Sequence, residues 1–354
     1  MRRVAAIFNR NARAVTAARI DQARASLGAA ATFVTGSLAE AHAAADAIIA
    51  GGYDLVCTGG GDGTFVRAVT DLAAAARAGG AEVPIVFGLR LGSGNAIADV
   101  CGAGPPTAAG IAADLARAAA DEPPGVLQLL DVREEASPGP APREPAPGVH
   151  ASPCPALACS AGCGLDAAFS RDLDHVARPL ARNRLLRPIF GGGVGVWTTA
   201  VVRTLPGLLR TPPPTLRITV LGPGARLGAD GRVIGAIADG EVVHDGPATM
   251  VSCSTITTYG RGVIMFPHAE RHPGRFQLRL AAVGAGPAML GLARMQLGLA
   301  GLPRGIHDLA LAGVRIEPVA GAPLAHVGGE VFAPRGALIV TLAPLAVRAL
   351  RGPR

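Results

Sequence analysis

Two glycine runs constrain this chain more than any other feature. The first is Gly59-Gly60-Gly61-Asp62-Gly63-Thr64, and the second is Leu91-Gly92-Ser93-Gly94-Asn95. Each follows a short apolar stretch of strand character, Asp54–Thr58 and Val83–Leu89. Each opens a stretch of helical period, the first running Phe65–Ala78. Two further pairs precede them: strand Val4–Asn9 with helix Arg13–Leu27, and strand Ala31–Val34 with a helix to Ala50. Ser37 and Glu40 form a capping box for that second helix. Strands alternating with helices at this spacing predict a parallel sheet covered by helices. Such sheets bind ligands beyond the carboxyl ends of their strands, where both glycine runs lie.

The pattern changes after residue 124. Strand-like pieces then follow one another: Val126–Arg133, Leu157–Gly164, Leu216–Leu221, Glu241–Ser254, Gln277–Val283, Gly313–Pro318 and Ala337–Leu342. Two stretches, Arg171–Arg210 and Pro287–Ile306, read as helical, and His244-Asp245 reads as a hairpin turn. The reading is α/β plus β. Residues 1–124 form a parallel α/β domain and residues 125–354 a β-rich domain, with the C-terminal segment a candidate to return to the first. Residues 134–156 are read as a disordered loop inserted in a hairpin, because Pro138–Pro155 holds seven prolines in eighteen residues.

Charge and composition remove whole classes of chemistry. All 33 of the Lys and Arg residues are arginine. Without lysine there is no Walker A loop, no protein-kinase strand lysine and no Schiff base. Aromatic residues make up 3% of the chain, too few for base-stacking platforms, so nucleic acid is not an expected partner. From Arg171 to Arg217 there are eight Arg against two Asp, Asp172 and Asp174, a net of +6 that suits an anionic surface. No signal peptide is read at the N-terminus. The longest apolar stretches, near Pro188–Val202 and Leu280–Ala293, are too short to span a bilayer. The six cysteines lack metal spacing and read as buried reduced thiols.

The glycine runs carry the chemistry. Glycine lets the backbone approach a phosphate closely, and the helix N-terminus that follows offers N–H groups and a positive dipole end. Asp62, a carboxylate inside such a loop, suits phosphoryl transfer better than passive dinucleotide binding.

On these residues the chain resembles the diacylglycerol kinase catalytic superfamily, which includes bacterial lipid kinases and diacylglycerol, sphingosine and ceramide kinases. Gly60–Thr64 matches the family's GGDGT loop, and Gly92–Asn95 matches its Gly-Thr/Ser-Gly-Asn loop. Asn9-Arg10-Asn11-Ala12-Arg13 partly matches an Asn-Pro-x-x-Gly element. Thr35, Gly162–Ala167 and Gly262–Pro267 match later positions. The resemblance implies a fold like that of NAD kinase and diacylglycerol kinase, with an antiparallel β-sandwich as second domain. It implies transfer of the γ-phosphoryl group of ATP to a lipid hydroxyl with Mg²⁺ present. The nucleotide would lie against Asn9, Arg10, Asn11, Arg13, Thr35, Gly60, Gly61, Asp62, Gly63, Thr64, Arg67, Gly92, Ser93, Gly94 and Asn95. Arg10, Arg13 or Arg67 would supply the positive charge that lysine cannot, Arg13 being preferred. Asp166 would meet the lipid head group.

The departures from the family pattern are specific. A late Asp-Gly-Glu is Gly328-Gly329-Glu330 here, which leaves Glu330 and Asp62 as the two candidate bases. The Asp that organises Mg²⁺ is replaced by Pro273, with Glu270 and His272 as the nearest substitutes, so no metal ligands are assigned. The alternatives are NAD kinase and a catalytically weakened nucleotide-binding homologue. The expected partners are a lipid substrate, an anionic membrane surface and a second copy of the chain. The expected location is cytoplasmic, peripheral at the inner membrane face.

Overall fold

The computed structural model describes residues 1–12, 14–92, 94–135, 149–176, 180, 193–260, 263–296 and 303–352. Arg13, Ser93, most of the proline-rich segment, part of the Arg171–Arg217 stretch and Gly262 lie outside the described residues. The described chain divides into two compact units: Met1–Leu129 with Ala343–Arg354, and Leu130–Leu342.

The first unit begins with four strand–helix pairs. β1 (Val4–Asn9) leads to α1 (Ala17–Leu27), β2 (Thr32–Thr35) to α2 (Leu38–Ala50), β3 (Leu55–Gly60) to α3 (Asp62–Gly79), and β4 (Ile85–Arg90) to α4 (Ala96–Cys101). α5 (Ala108–Ala119) and the short β5 (Gly125–Leu127) follow. The four strands pair in parallel in the order β2-β1-β3-β4. Their apolar faces meet those of α2 and α3 in a core of Ala5, Ile7, Ala45, Ile48, Val56, Ala68 and Leu72. Burying one of its Ile, Val or Leu side chains contributes about 1.5–3 kcal/mol.

Local chemistry fixes the helix starts. The Ser37–Glu40 capping box forms at α2 as its sequence predicts. α1 begins at Ala17 rather than residue 13, because the Thr16 hydroxyl accepts the Arg19 N–H and sets the N-cap there. α3 begins at Asp62 rather than Phe65, so Asp62, Gly63 and Thr64 form its first turn. Its N-cap, Gly61, has no side chain to cap the free N–H groups.

The second unit holds two antiparallel sheets. In the eight-stranded one, the spatial order is Val233–Ile237, Gly224–Leu227, Ile306–Leu311, Phe276–Ala281, Met250–Ser254, Ser160–Gly164, Ala325–Val327 and Glu330–Phe332. In the six-stranded one, it is Val242–Pro247, Thr215–Val220, Gly313–Ala320, Leu338–Leu342, Leu130–Glu134 and Ala156–Ala158. The last two of these strands pair directly and flank the proline-rich segment. Arg279 and Asp308 face each other on neighbouring strands of the larger sheet. They form a buried two-pronged ion pair at 2.8 and 2.7 Å.

Four sequence-based assignments are corrected here. Val126–Arg133 is two strands, not one: β5 belongs to the first unit and Leu130–Glu134 to the second. Glu241–Ser254 also divides, at Pro247-Ala248-Thr249, between the two sheets, because Pro247 has no N–H to continue the ladder. His244-Asp245 is not a turn. Both lie within Val242–Pro247, where Asp245 faces Arg217 across the strands and pairs with it at 2.8 Å. Arg171–Arg210 is not one helix: its described parts are α6 (Leu165–His175), Gly193–Thr199, a π-helical turn Ala200–Thr204, and Leu205–Arg210.

The chain then returns to the first unit. Strand Val347–Ala349 inserts between β4 and β5, parallel to the former and antiparallel to the latter.

Candidate active site

The two glycine loops of the first unit touch. Gly61 and Gly92 stand backbone to backbone, and a methyl group added at Gly92 would overlap the Gly61 Cα. Any side chain at Gly92 would therefore push the loops apart. The second loop is closed by its own asparagine. Asn95 takes the left-handed conformation (φ 61°), Asn95 Oδ1 accepts the Gly92 N–H at 2.8 Å, and Nδ2 donates to the Gly92 carbonyl at 2.9 Å. Asparagine tolerates that conformation better than most residues.

Asp62 links the loops. Its Oδ1 accepts the Ile97 N–H at 3.0 Å, at the start of α4. A methyl group at Gly94 would lie 2.6 Å from Oδ2, so Gly94 is needed for this approach. Burial pushes the Asp62 carboxyl above its ordinary value. The N–H groups of Ile97, Ala96 and Asn95 pull in the opposite direction. Asp62 thus caps α4 from another segment, and the α4 donors are engaged. The first turn of α3, which follows β3, has no such side-chain cap.

The remaining N-terminal candidates gather around these loops. Asn9, at the end of β1, donates to Thr64 Oγ1 at 3.2 Å and accepts the Asn11 N–H at 3.0 Å. Asn11 Nδ2 donates to the Gly36 carbonyl at 2.9 Å, and the Arg10 N–H donates to the Thr35 carbonyl at 2.8 Å. Asn9, Arg10, Asn11, Thr35, Gly60 and Thr64 therefore sit together at the carboxyl ends of β1, β2 and β3.

Both described candidate arginines already have acid partners. Arg10 reaches both Glu40 oxygens at 2.5 and 2.6 Å. The Gly36 N–H and the Arg10 guanidinium hold the Glu40 carboxyl below its usual range. Arg67 forms a two-pronged ion pair with the buried Asp71, one arm at 2.9 Å. Arg13 lies outside the described residues.

The second unit holds Asp166 and Glu330. Asp166, in the first turn of α6, is buried, and Oδ2 lies 2.8 Å from His326 Nε2. Tyr259 Oη lies 3.1 Å from the same nitrogen. Glu330 is partly exposed and starts the strand opposite Ala325–Val327, across the Gly328-Gly329 turn, with Val327 as its register partner. His272, a candidate metal substitute, is engaged by the Gly231 carbonyl at 3.0 Å. Among the described residues no three His, Cys, Asp or Glu side chains converge to hold a metal ion. Within the loops the sole carboxylate is Asp62, and backbone N–H groups hold it. Among the described residues the donor set does not build a metal site there.

Sequence reasoning missed two partners. Glu40 was legible as a cap but not as the counterion of Arg10. His326 carries no local signal, because it meets Asp166 across 160 residues of sequence.

Comparison with known proteins agrees with the geometry. Residues 3–123 match the family model of the diacylglycerol kinase catalytic domain. No functionally curated protein matches the chain in sequence. Its fold is similar to two solved structures of a provisionally assigned diacylglycerol kinase from Bacillus anthracis str. Sterne, at 15% identity with TM-scores of 0.60 and 0.59. A third structure from that organism, described as a diacylglycerol kinase, matches at 13% identity and a TM-score of 0.54. Each match covers 99% of this chain and 97% of the other. Residues 3–123 therefore carry the sequence pattern of the diacylglycerol kinase catalytic domain, and the chain shares the fold of these solved structures along nearly its whole length.

Proposed function

We propose that this chain is an ATP-dependent lipid kinase that transfers the γ-phosphoryl group to the hydroxyl of a diacylglycerol, ceramide or sphingoid base. The observation that carries this reading is the contact of two glycine loops beside an uncapped α3 N-terminus. That arrangement offers backbone donors to a polyphosphate and needs no lysine. Residue fit to ATP is good on this count: Gly60, Gly61 and Gly92 leave no side chain in the way, and Asn9 and Thr64 add polar groups at the rim.

Phosphoryl transfer relies mainly on in-line positioning and charge neutralisation. In this reading Asp62 is a positioning residue that holds the second loop against the first. Glu330 is the base that takes the proton of the acceptor hydroxyl. Asp166, held by His326, orders the part of the second unit that receives the lipid, whose two antiparallel sheets form the sandwich. Arg13 is the arginine offered to the phosphates, since Arg10 and Arg67 are paired.

The test is phosphate transfer from radiolabelled ATP to a panel of diacylglycerol, ceramide and sphingoid bases by the purified chain. One labelled phospholipid product supports the reading. No product across the panel refutes it, and NADP formed from NAD and ATP would replace it with NAD kinase.

A further inference from the structure

The second unit exposes apolar side chains on the helices around its π-helical turn. Val201 and Val202, in the π-helical turn, are 55% and 64% exposed, Leu209 is 69% exposed, and Leu290 is 55% exposed. The helices carrying Leu209 and Leu290, Leu205–Arg210 and Ala285–Gln296, pack on each other. Their other sides are inward: Leu205, Leu208 and Met289 join the core with Leu165 and Phe266. The outward aliphatic residues are thus a second, unpartnered side of helices that already have a core side.

The surrounding sequence contains no acid. Residues 176–215 hold six arginines and residues 282–306 hold two, with no Asp or Glu in either stretch. The described acids that flank these stretches are both buried and neutralised: Asp172 by Arg171 at 2.8 Å and Arg203 at 3.2 Å, and Asp308 by Arg279 at 2.7 Å. Arg210 is exposed beside Leu209. The other exposed aliphatic pair, Val233 and Ile234, is different: it lies on an edge strand next to Asp230 and across from the Arg226–Glu241 ion pair. Exposed aliphatics next in the chain to the exposed Arg203 and Arg210 suit an apolar layer covered by negative charge, which is the profile of an anionic bilayer.

We infer that Val201, Val202, Leu209 and Leu290 seat the second unit on an anionic lipid bilayer, with Arg203 and Arg210 on its head groups. The inference rests on the lipid-kinase reading for its purpose, not for its evidence. Trp197, the sole tryptophan of the chain, lies on helix Gly193–Thr199 directly before the π-helical turn and packs on the same core. Its emission reports the environment of this element without any label.

The experiment uses the full chain without ATP and vesicles of phosphatidylcholine alone or mixed equally with phosphatidylglycerol. The expected result is cosedimentation with the anionic vesicles, at least tenfold weaker with neutral ones, and weakened by raising salt from 0.1 to 0.5 M. Trp197 emission should shift to the blue on binding. Val202→Glu with Leu209→Glu should reduce binding at least tenfold while the melting temperature holds, and Ile234→Glu should not reduce it. Equal binding to both vesicles, or binding that survives the double substitution, overturns the inference. So does a dimeric wild type that the double variant turns monomeric while neither binds vesicles, because a second copy then covers the surface. Phosphorylation of water-soluble dihexanoylglycerol, run separately, tests the kinase reading alone. Vesicle binding without that product leaves the docking surface standing, and the product without vesicle binding removes it.

Discussion

Asp62 offers a sharp test, because the two roles a loop carboxylate can take predict opposite outcomes. If it caps α4, its value lies in accepting the Ile97, Ala96 and Asn95 N–H groups. Asp62→Ala leaves those donors without a partner. Loss of a helix cap costs about 0.5–2 kcal/mol, and roughly 2–8 °C in the unfolding midpoint of a unit of this size. Asp62→Asn keeps an acceptor of the same shape and should stay within about 0.5 kcal/mol of the wild type. The pH dependence has a definite sign. Burial raises the Asp62 pKa in the folded state, so its favourable contribution is complete below the unfolded value near 3.9 and is lost as pH rises through the raised one. Asp62→Asn does not titrate there, so it should gain on the wild type between pH 4 and pH 8. Denaturant melts of the three proteins across that range measure both effects. Turnover completes the test: the capping role predicts that Asp62→Asn keeps activity within tenfold. A loss beyond a hundredfold at unchanged stability would make Asp62 the base and refute the argument.

Three other outcomes are expected. Glu330→Gln should lower turnover by about 10²- to 10⁴-fold while leaving ATP-induced thermal stabilisation intact, as removal of a base does. Gly92→Ala should cost about 1–3 kcal/mol by forcing its methyl group into Gly61, and it should abolish the stabilisation that ATP gives, both read from melting curves. Asp308→Ala should destabilise the second unit by about 3–5 kcal/mol in urea, because it strands the buried Arg279 guanidinium.

The α/β alternation of the first unit was legible because each signal is local. A strand, a glycine run, a cap and a helical period each fit within a dozen residues. The Ser37–Glu40 cap and the position of both loops followed from that. What the pattern could not show was where an apolar run changes partners. Leu127-Gln128-Leu129-Leu130 has no glycine or proline to mark the step from one sheet to another, yet the chain leaves the first unit there. The strand Val347–Ala349 is too short to register against its surroundings, and the hairpin Gly224–Leu227 with Val233–Ile237 is broken up by Gly224, Arg226 and Gly235. In the candidate site, the residues on the loops were readable and their partners were not. That Arg10 meets Glu40 and Asp166 meets His326 depends on tertiary placement, whereas Arg67 and Asp71 stand four residues apart on α3; each pairing changes what the first residue has left to offer a ligand.

The returning strand Val347–Ala349 also sets an order of events during synthesis. It pairs with β4, the strand that ends at the second glycine loop, and just beyond it the Gly352 N–H donates to the Val100 carbonyl at 3.0 Å. The Arg351 carbonyl accepts from Arg117 at 2.7 Å. The ribosome finishes β4 long before it makes these residues, with the whole of Leu130–Leu342 in between. From Arg90 to Val347, at about 5–20 residues per second, that gap lasts roughly 13–50 s. For that interval the nascent sheet has an open edge beside β4, and the unit that emerges first is the last to be completed.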